Sequence, residues 1–176
     1  CKGVHINVSL ATVIKSRLLL FAFLLYPTVS PAKSSEIHLL LNWMIDNHQT
    51  IETTLKDSNP STLVPTIFTL TEIWKRRDGA LSGEVSPLIL KALIADPYTT
   101  LLLLSKQPLS FDNWLDELEG MAFTAYDTND KAGLETLRVD VMQSLRSISE
   151  ANEGKLTLMA SQLINRLSHI EIRDIH

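Results

Sequence analysis

Residues 86–106 read SPLILKALIADPYTTLLLLSK and decide the fold that the sequence predicts. Ser86-Pro87 is typical of a helix start, because a hydroxyl can cap the first turn and proline lacks only an N–H that would have no partner there. Asp96-Pro97 repeats this signal, and Pro97 disfavours helical geometry at the residue before it. The stretch therefore predicts two short helices, one starting at Ser86 and ending at Asp96, and the other following directly.

Four consecutive leucines, Leu101 to Leu104, lie in the second of these helices. Successive side chains of an α-helix point in directions about 100° apart, so the four leucines span about 300° of its circumference. A helix that is apolar on all sides is typical of a buried position. We therefore expect this helix pair in the middle of an all-helical domain.

The rest of the chain repeats the helical spacing of three and four residues between apolar side chains. It shows no sustained alternation of apolar and polar residues, so we predict five further helices and no β-sheet. Their approximate ranges are residues 35–56, 62–77, 110–126, 130–150 and 156 to near the C-terminus. Ser61 and Ser110 are the expected N-caps of the second and third of these ranges, and a short polar link through Gly83 leads to the central pair.

The helix lengths fall into pairs joined by links of roughly two to eight residues, which favours antiparallel neighbours. In this outline the chain resembles the helical-hairpin solenoids of the HEAT and tetratricopeptide classes, although no repeat consensus recurs at a fixed period. The predicted fold is all-α with about seven helices, arranged either as a short solenoid of this kind or as an irregular helical bundle.

Residues 1–32 read as an N-terminal extension and a secretory signal peptide. Lys15 and Arg17 form a basic region, residues 18–26 are apolar, and small residues lead to Ala32. The apolar run of nine residues is shorter than the roughly 20 residues of a transmembrane helix. We therefore expect cleavage after Ala32, no membrane span afterwards, and a single periplasmic or secreted domain of residues 33–176. A buried N-terminal core helix is the alternative.

The composition of residues 33–176 limits the partners that the domain can have. The full chain has 16 basic and 20 acidic residues, and removing the three basic residues of the leader leaves 16 − 3 = 13 against 20. An acidic chain of this kind argues against nucleic acid as a partner, because phosphate binding needs clustered lysine and arginine. The one basic run, residues 75–77, complements the dipole of a helix C-terminus. The one cysteine is Cys1, so the domain has neither a disulfide framework nor a thiol nucleophile.

The histidines and carboxylates form no recognisable catalytic or metal-binding motif. No histidine pair of the domain has the i, i+4 spacing of a zinc-binding helix, and no phosphate-binding loop or nucleophile elbow is present. We therefore expect no cofactor, no metal and no enzymatic activity. His48 falls on the apolar stripe of the first helix, which predicts a partly buried core histidine; the alternative is an enzyme that uses His48 with Asp46 or Glu52. A solvated acidic face, rather than a cation site, is expected at Asp112, Asp116, Glu117 and Glu119.

The first helix has an apolar surface that is broader than one neighbouring helix needs to cover. Leu39, Leu40 and Trp43 lie beside its main apolar stripe. We expect part of this surface to be exposed for a partner or for self-association; the alternative is a wide core face. The function we expect is that of an exported, non-enzymatic protein-interaction or adaptor module whose partner is another protein, with a homo-oligomer as a further possibility. The alternative is a carrier of a small hydrophobic ligand, held in a cavity lined by the leucine-rich central pair.

Overall fold

A computed structural model describes residues 31–127, 130–151 and 154–174. Helices take up 84% of the structure, so the all-α prediction is confirmed. The predicted signal peptide lies outside the described residues except for its last two positions, and its cleavage stays a prediction. Ser35–His176 forms one compact unit, to which all contacts below belong. The elements are α1 (Pro31–Asp57), α2 (Pro60–Lys75), α3 (Gly79–Ala95), α4 (Pro97–Leu104), α5 (Pro108–Ala122), β1 (Thr124–Ala125), α6 (Asp130–Ser149), α7 (Lys155–Ser168) and β2 (Arg173–Asp174).

Asparagine and aspartate side chains cap three of the helices. Asn59 Oδ1 accepts a hydrogen bond of 3.1 Å from the backbone N–H of Ser61 at the start of α2. Asp78 and Asp96 each accept from the backbone N–H three residues further on, at 3.1 and 3.0 Å. The cap at Asp96 is as predicted, whereas the cap predicted at Ser61 is wrong. Asn59-Pro60 starts the helix earlier, because proline at the first helical position needs no N–H partner.

Helix α3 begins at Gly79, and the start predicted at Ser86 is wrong. Pro87 therefore lies inside the helix, and the Ser86 side chain is buried rather than capping. Leu81 and Val85, from the segment predicted as a polar link, are fully buried. The burial of this apolar face outweighs the low helix propensity of the two glycines in the segment, since propensity is a weak effect that tertiary packing overrides.

Helix α3 lies at the centre of the domain and packs against α2, α4, α5 and α6. Helix α4 in turn contacts α2, α6 and α7. In a repeat array each unit contacts only its sequence neighbours, so contacts between helices this far apart along the chain are those of a bundle. The solenoid form of the prediction is not confirmed.

The four leucines of α4 are not buried on all sides. Leu101 and Leu104 have no exposed surface, but Leu102 is 44% exposed and Leu103 is half-buried. The expectation of a helix enclosed all round is therefore wrong for α4. The helix lies at the edge of the bundle, and its neighbours cover one side of it.

The described residues contain one pair of short parallel strands, which the sequence did not predict. The strands β1 and β2 pair through Thr124 with Arg173 and Ala125 with Asp174. The backbone N–H of Arg173 also donates to the carbonyl of Phe123 at 3.1 Å, which holds the segment after α7 against the end of α5. Strands of two residues are too short to produce an alternating sequence pattern, so the prediction of no sheet missed them.

Candidate interaction surface and clefts

The middle of α1, residues 39–45, carries apolar side chains around most of its circumference. Six of the seven residues 39–45 are apolar, but the rest of the domain fully buries only Met44 among them. Such a segment is covered on one side and open to solvent on the others. The large apolar side chains left exposed are Leu39 (67%), Trp43 (40%) and Ile45 (58%).

The structure places two of the three predicted interaction residues on one exposed side of α1. Leu39 and Trp43 are one helical turn apart and therefore neighbours; we call this pair the outer face of α1. Leu40 is half-buried and packs against the hydrophobic core. Ile45 follows Trp43 by two residues and lies on another side of the helix.

The outer face of α1 is flanked by carboxylates. Glu36 precedes Leu39 by three residues and Asp46 follows Trp43 by three, so both lie on the same side of the helix. Glu36 is held by an exposed ion pair of 2.6 Å with Arg76, while Asp46 is exposed. Residues 36–55 contain no lysine or arginine. This charge pattern is the opposite of the basic helices that bind membrane surfaces.

His48 lies at the surface, so the prediction of a core histidine is wrong. Its side chain is 52% exposed, and Nε2 is 3.8 Å from Oε1 of Glu52. The buried stripe of α1 is centred on residues 44, 51 and 55, and His48 falls at its edge, where Glu52 one turn further on offers a polar partner. Asp46, the other carboxylate considered, makes no ion pair with His48 in the part of the chain that the structure describes.

Glu52 joins α1 to α3 through an ion pair. Its carboxylate accepts a hydrogen bond from Nζ of Lys91. This hydrogen bond lowers the pKa of Glu52, against the opposing effect of burial. Glu52 is therefore ionised and already paired, which makes it a weak general base for His48 chemistry.

A surface cleft of about 410 Å³ lies between α1, α3 and α6; we call it the α1–α3–α6 cleft. Glu52 and Lys91 line it together with apolar side chains, and one of these, Ile94, is 37% exposed. The leucines of α3 are packed in the core instead, so the C-terminal end of α3 contributes to the cleft and its leucine-rich middle does not. The apolar lining residues are Leu55, Ile94, Ala95 and Leu137.

A second cleft, of about 320 Å³, lies where α2 ends and α3 begins, beside α5; we call it the polar pocket. Arg77 is one of its lining residues. Its Nη1 donates to the carbonyl of Trp74 at 2.9 Å and to the hydroxyl of Ser110 at 2.7 Å, and its Nη2 donates to the carbonyl of Ser110 at 2.7 Å. The guanidinium carbon lies 4.3 Å from the centre of the Trp74 ring. Arg77 thus connects α2 to α5.

The role of Ser110 differs from the predicted one. Helix α5 begins at Pro108 behind Gln107, which makes no side-chain cap. Ser110 lies inside the first turn and accepts from Arg77 instead of capping. A serine before an apolar run gives the same sequence signal whether it caps the helix or accepts a hydrogen bond from another segment. The contact with the distant Arg77 is what distinguishes the two roles.

The carboxylates of α5 do not form one solvated face, so that prediction is wrong for Glu119. Asp112, Asp116 and Glu117 are exposed. Glu119 is half-buried and accepts a hydrogen bond of 2.8 Å from Nε of Arg173. Nη2 of Arg166 is 3.6 Å from its other oxygen. Among the residues that the structure describes, no three histidine, cysteine or acidic side chains are grouped so that they could hold a metal ion.

Comparisons with known proteins identify no relative. The chain matches no model of a known family, no curated protein and no solved structure. Of the helices described, none is both long and apolar enough to cross a membrane. The surfaces described above are therefore the basis for any statement about function.

Proposed function

We propose that this chain is an exported, non-enzymatic protein that binds another protein through the outer face of α1. The observation that supports this is the segment 39–45, which is apolar around most of its circumference but is covered by its own domain on one side. Helices that are apolar all round are normally enclosed. A partner would therefore bury surface that Leu39 and Trp43 expose to water. The export part of the proposal is based on the sequence of residues 1–32.

The shape of the outer face favours insertion of α1 into a groove of the partner. Leu39 and Trp43 have the i, i+4 spacing by which a helix lays its apolar side chains into a hydrophobic groove. Tryptophan is also enriched among the residues that dominate binding energies. Because Asp46 leaves an exposed negative charge beside this ridge, we propose that the groove of the partner has a basic rim.

Photo-crosslinking in the cells that export the protein tests this proposal. A photoactivatable benzoylphenylalanine replaces Trp43 in one variant and Val139, an exposed residue of α6, in a control variant. We expect a crosslinked product with one defined polypeptide from position 43 and not from position 139. Leu39→Ala, added to the position-43 variant, should reduce the yield of the crosslinked product. The absence of a product at position 43, or the same products from both positions, would count against the proposal.

A carrier of a small hydrophobic ligand is the second candidate function, and the α1–α3–α6 cleft favours it. Its volume of about 410 Å³ falls within the range of roughly 300–1,000 Å³ of small-molecule sites, and Ile94 exposes apolar surface within it. Saturable binding of the probe anilinonaphthalene sulfonate should be lost in Ile94→Glu. It should persist in Val64→Glu, which alters an exposed residue of α2. Equal loss in both variants would exclude the cleft as the binding site.

A further inference from the structure

Arg77 in the polar pocket keeps hydrogen-bond donors that the protein does not use. Its three hydrogen bonds go to neutral acceptors on Trp74 and Ser110. The Nε–H and the second Nη2–H have no acceptor among the described residues. In a planar guanidinium, the Nε–H and one Nη2–H are parallel along one edge. That edge is the one with which arginine binds a carboxylate through two parallel hydrogen bonds.

Ser82 of α3 offers a second hydrogen-bonding group to the pocket. The residue is only 3% exposed and lines the pocket. Its hydroxyl makes no hydrogen bond with any residue that the structure describes. Among the described residues, Trp74 Nε1 is the buried side-chain polar atom that lacks a partner. The Ser82 hydroxyl oxygen is therefore not fully enclosed, and a polar ligand group in the pocket can reach it. The wall beside it is open, because a Cβ added at Gly79 would meet no atom within 4 Å.

The charges that remain for a ligand are one positive and one negative. Lys75 is paired with Glu72 on its own helix, and Asp78 caps α3. This leaves Arg77 and Glu117, both of which line the pocket. Burial lowers the pKa of Arg77, while the charge of nearby Glu117 raises it. No carboxylate oxygen lies within ion-pair distance of the Arg77 guanidinium in the described part of the chain.

We propose that the polar pocket binds a small zwitterion with a carboxylate and an ammonium group, the chemistry of a free α-amino acid. The carboxylate binds to the free edge of Arg77 and to the hydroxyl of Ser82, and the ammonium group binds to Glu117. A divalent anion such as phosphate fits less well, because it offers no ammonium group to Glu117 and would lie beside that negative charge. Binding of this kind is separate from the proposed protein interface on α1.

Titration of the ¹⁵N-labelled protein tests the proposal. The probes are glycine, L-alanine, acetate, methylammonium and inorganic phosphate, each followed by the amide resonances of Gly79, Ser82 and Asn113. We expect saturable binding of the two amino acids at least about tenfold tighter than that of acetate, because acetate cannot engage Glu117. The proposal is overturned if neither amino acid binds saturably, if acetate binds as tightly, or if phosphate binds more tightly.

Two variants that each remove one negative charge from α5 separate the specific contact from a general charge effect. Glu117→Gln should weaken glycine binding about tenfold and leave acetate binding unchanged. Asp116→Asn is the matched control, since the neighbouring Asp116 lines a different cleft, and it should bind glycine as the wild type does. Equal losses in the two variants would contradict the assignment of Glu117.

Discussion

The indole of Trp114 donates a buried hydrogen bond of 2.9 Å to the hydroxyl of Ser86 and so joins α5 to the central helix α3. Trp74 packs edge-on against the Trp114 ring, with the ring centres 6.1 Å apart, and Phe111 lies 5.9 Å away on α5 itself. Both partners of the hydrogen bond have no exposed surface. Water therefore cannot replace either group when the other is removed.

Removal of the Ser86 hydroxyl should lower the free energy of unfolding by about 1–3 kcal/mol, because the Trp114 N–H is left buried without a partner. Urea denaturation of Ser86→Ala measures this change. Ser147→Ala, at an exposed position of α6, is the matched control and should stay within about 0.5 kcal/mol of the wild type. Equal stabilities of the two variants would mean that the buried hydrogen bond contributes nothing.

Ser86 also illustrates why the start of α3 could not be predicted from local signals. Ser86-Pro87 has the composition of a helix start, but the hydrogen-bond partner of Ser86 is Trp114, 28 residues further along the chain. A second signal was present, since Leu81, Val85 and Leu88 recur at helical spacing. Greater weight on that spacing than on the cap would have placed the helix correctly.

The same distinction holds for the candidate surfaces. The breadth of the apolar surface around Leu39 and Trp43 is a property of one helix and was predictable from its spacing. The polar pocket and the ion pairs of Glu119 with Arg166 and Arg173 join residues more than 30 positions apart. No periodicity within one segment encodes such contacts, which arise only when helices pack.

Two neighbouring arginines at the end of α2 should differ strongly in their contribution to stability. Arg77→Ala should lower the free energy of unfolding by about 1.5–3 kcal/mol, because it removes the hydrogen bonds of a half-buried charged group to α5. Arg76→Ala should cost about 0–1 kcal/mol, since its ion pair with Glu36 is exposed. Thermal or urea denaturation of the two variants side by side provides the comparison. A larger loss from Arg76→Ala would contradict the roles assigned to the two side chains.

Glu52 should make the protein less stable in acid. The hydrogen bond from Lys91 lowers the pKa of Glu52 below its usual value of 4.5, although burial opposes it. The pKa in the folded state is thus below that in the unfolded chain, so the contribution to stability is fully present above about pH 4.5 and is lost as the pH falls further. Urea denaturation between about pH 6 and pH 3 should show that the free energy of unfolding falls less with decreasing pH in Glu52→Gln than in the wild type.

Lys91→Gln is the companion variant for this prediction. Without the ammonium group, the pKa of Glu52 should rise towards its usual value, and the acid-dependent part of the stability should decrease as it does in Glu52→Gln. A wild-type slope in both variants would mean that the ion pair does not contribute to the pH dependence.

Replacement of His48 should leave the domain stable. Its side chain is 52% exposed, so His48→Ala should change the free energy of unfolding by no more than about 0.5 kcal/mol. Met44→Ala on the same helix should cost about 2–5 kcal/mol, because Met44 is buried. A similar loss of stability in both variants would mean that His48 is part of the core, as the sequence alone suggested. A catalytic role for His48 would require an activity that His48→Ala loses while it stays folded.

Native mass spectrometry of the protein, isolated from its host without denaturant, tests the α1 interface most directly. We expect a complex of this chain with one other polypeptide. The double variant Leu39→Ala/Trp43→Ala should no longer form this complex, although the free energy of unfolding of the variant changes by only about 1 kcal/mol. Loss of such a binding residue should reduce the binding free energy by at least about 2 kcal/mol, which is roughly a 30-fold increase in Kd. Val139→Ala/Leu158→Ala, at exposed apolar positions of α6 and α7, should keep the complex. A complex that survives unchanged in Leu39→Ala/Trp43→Ala, or that is lost equally in the control, would contradict the interface.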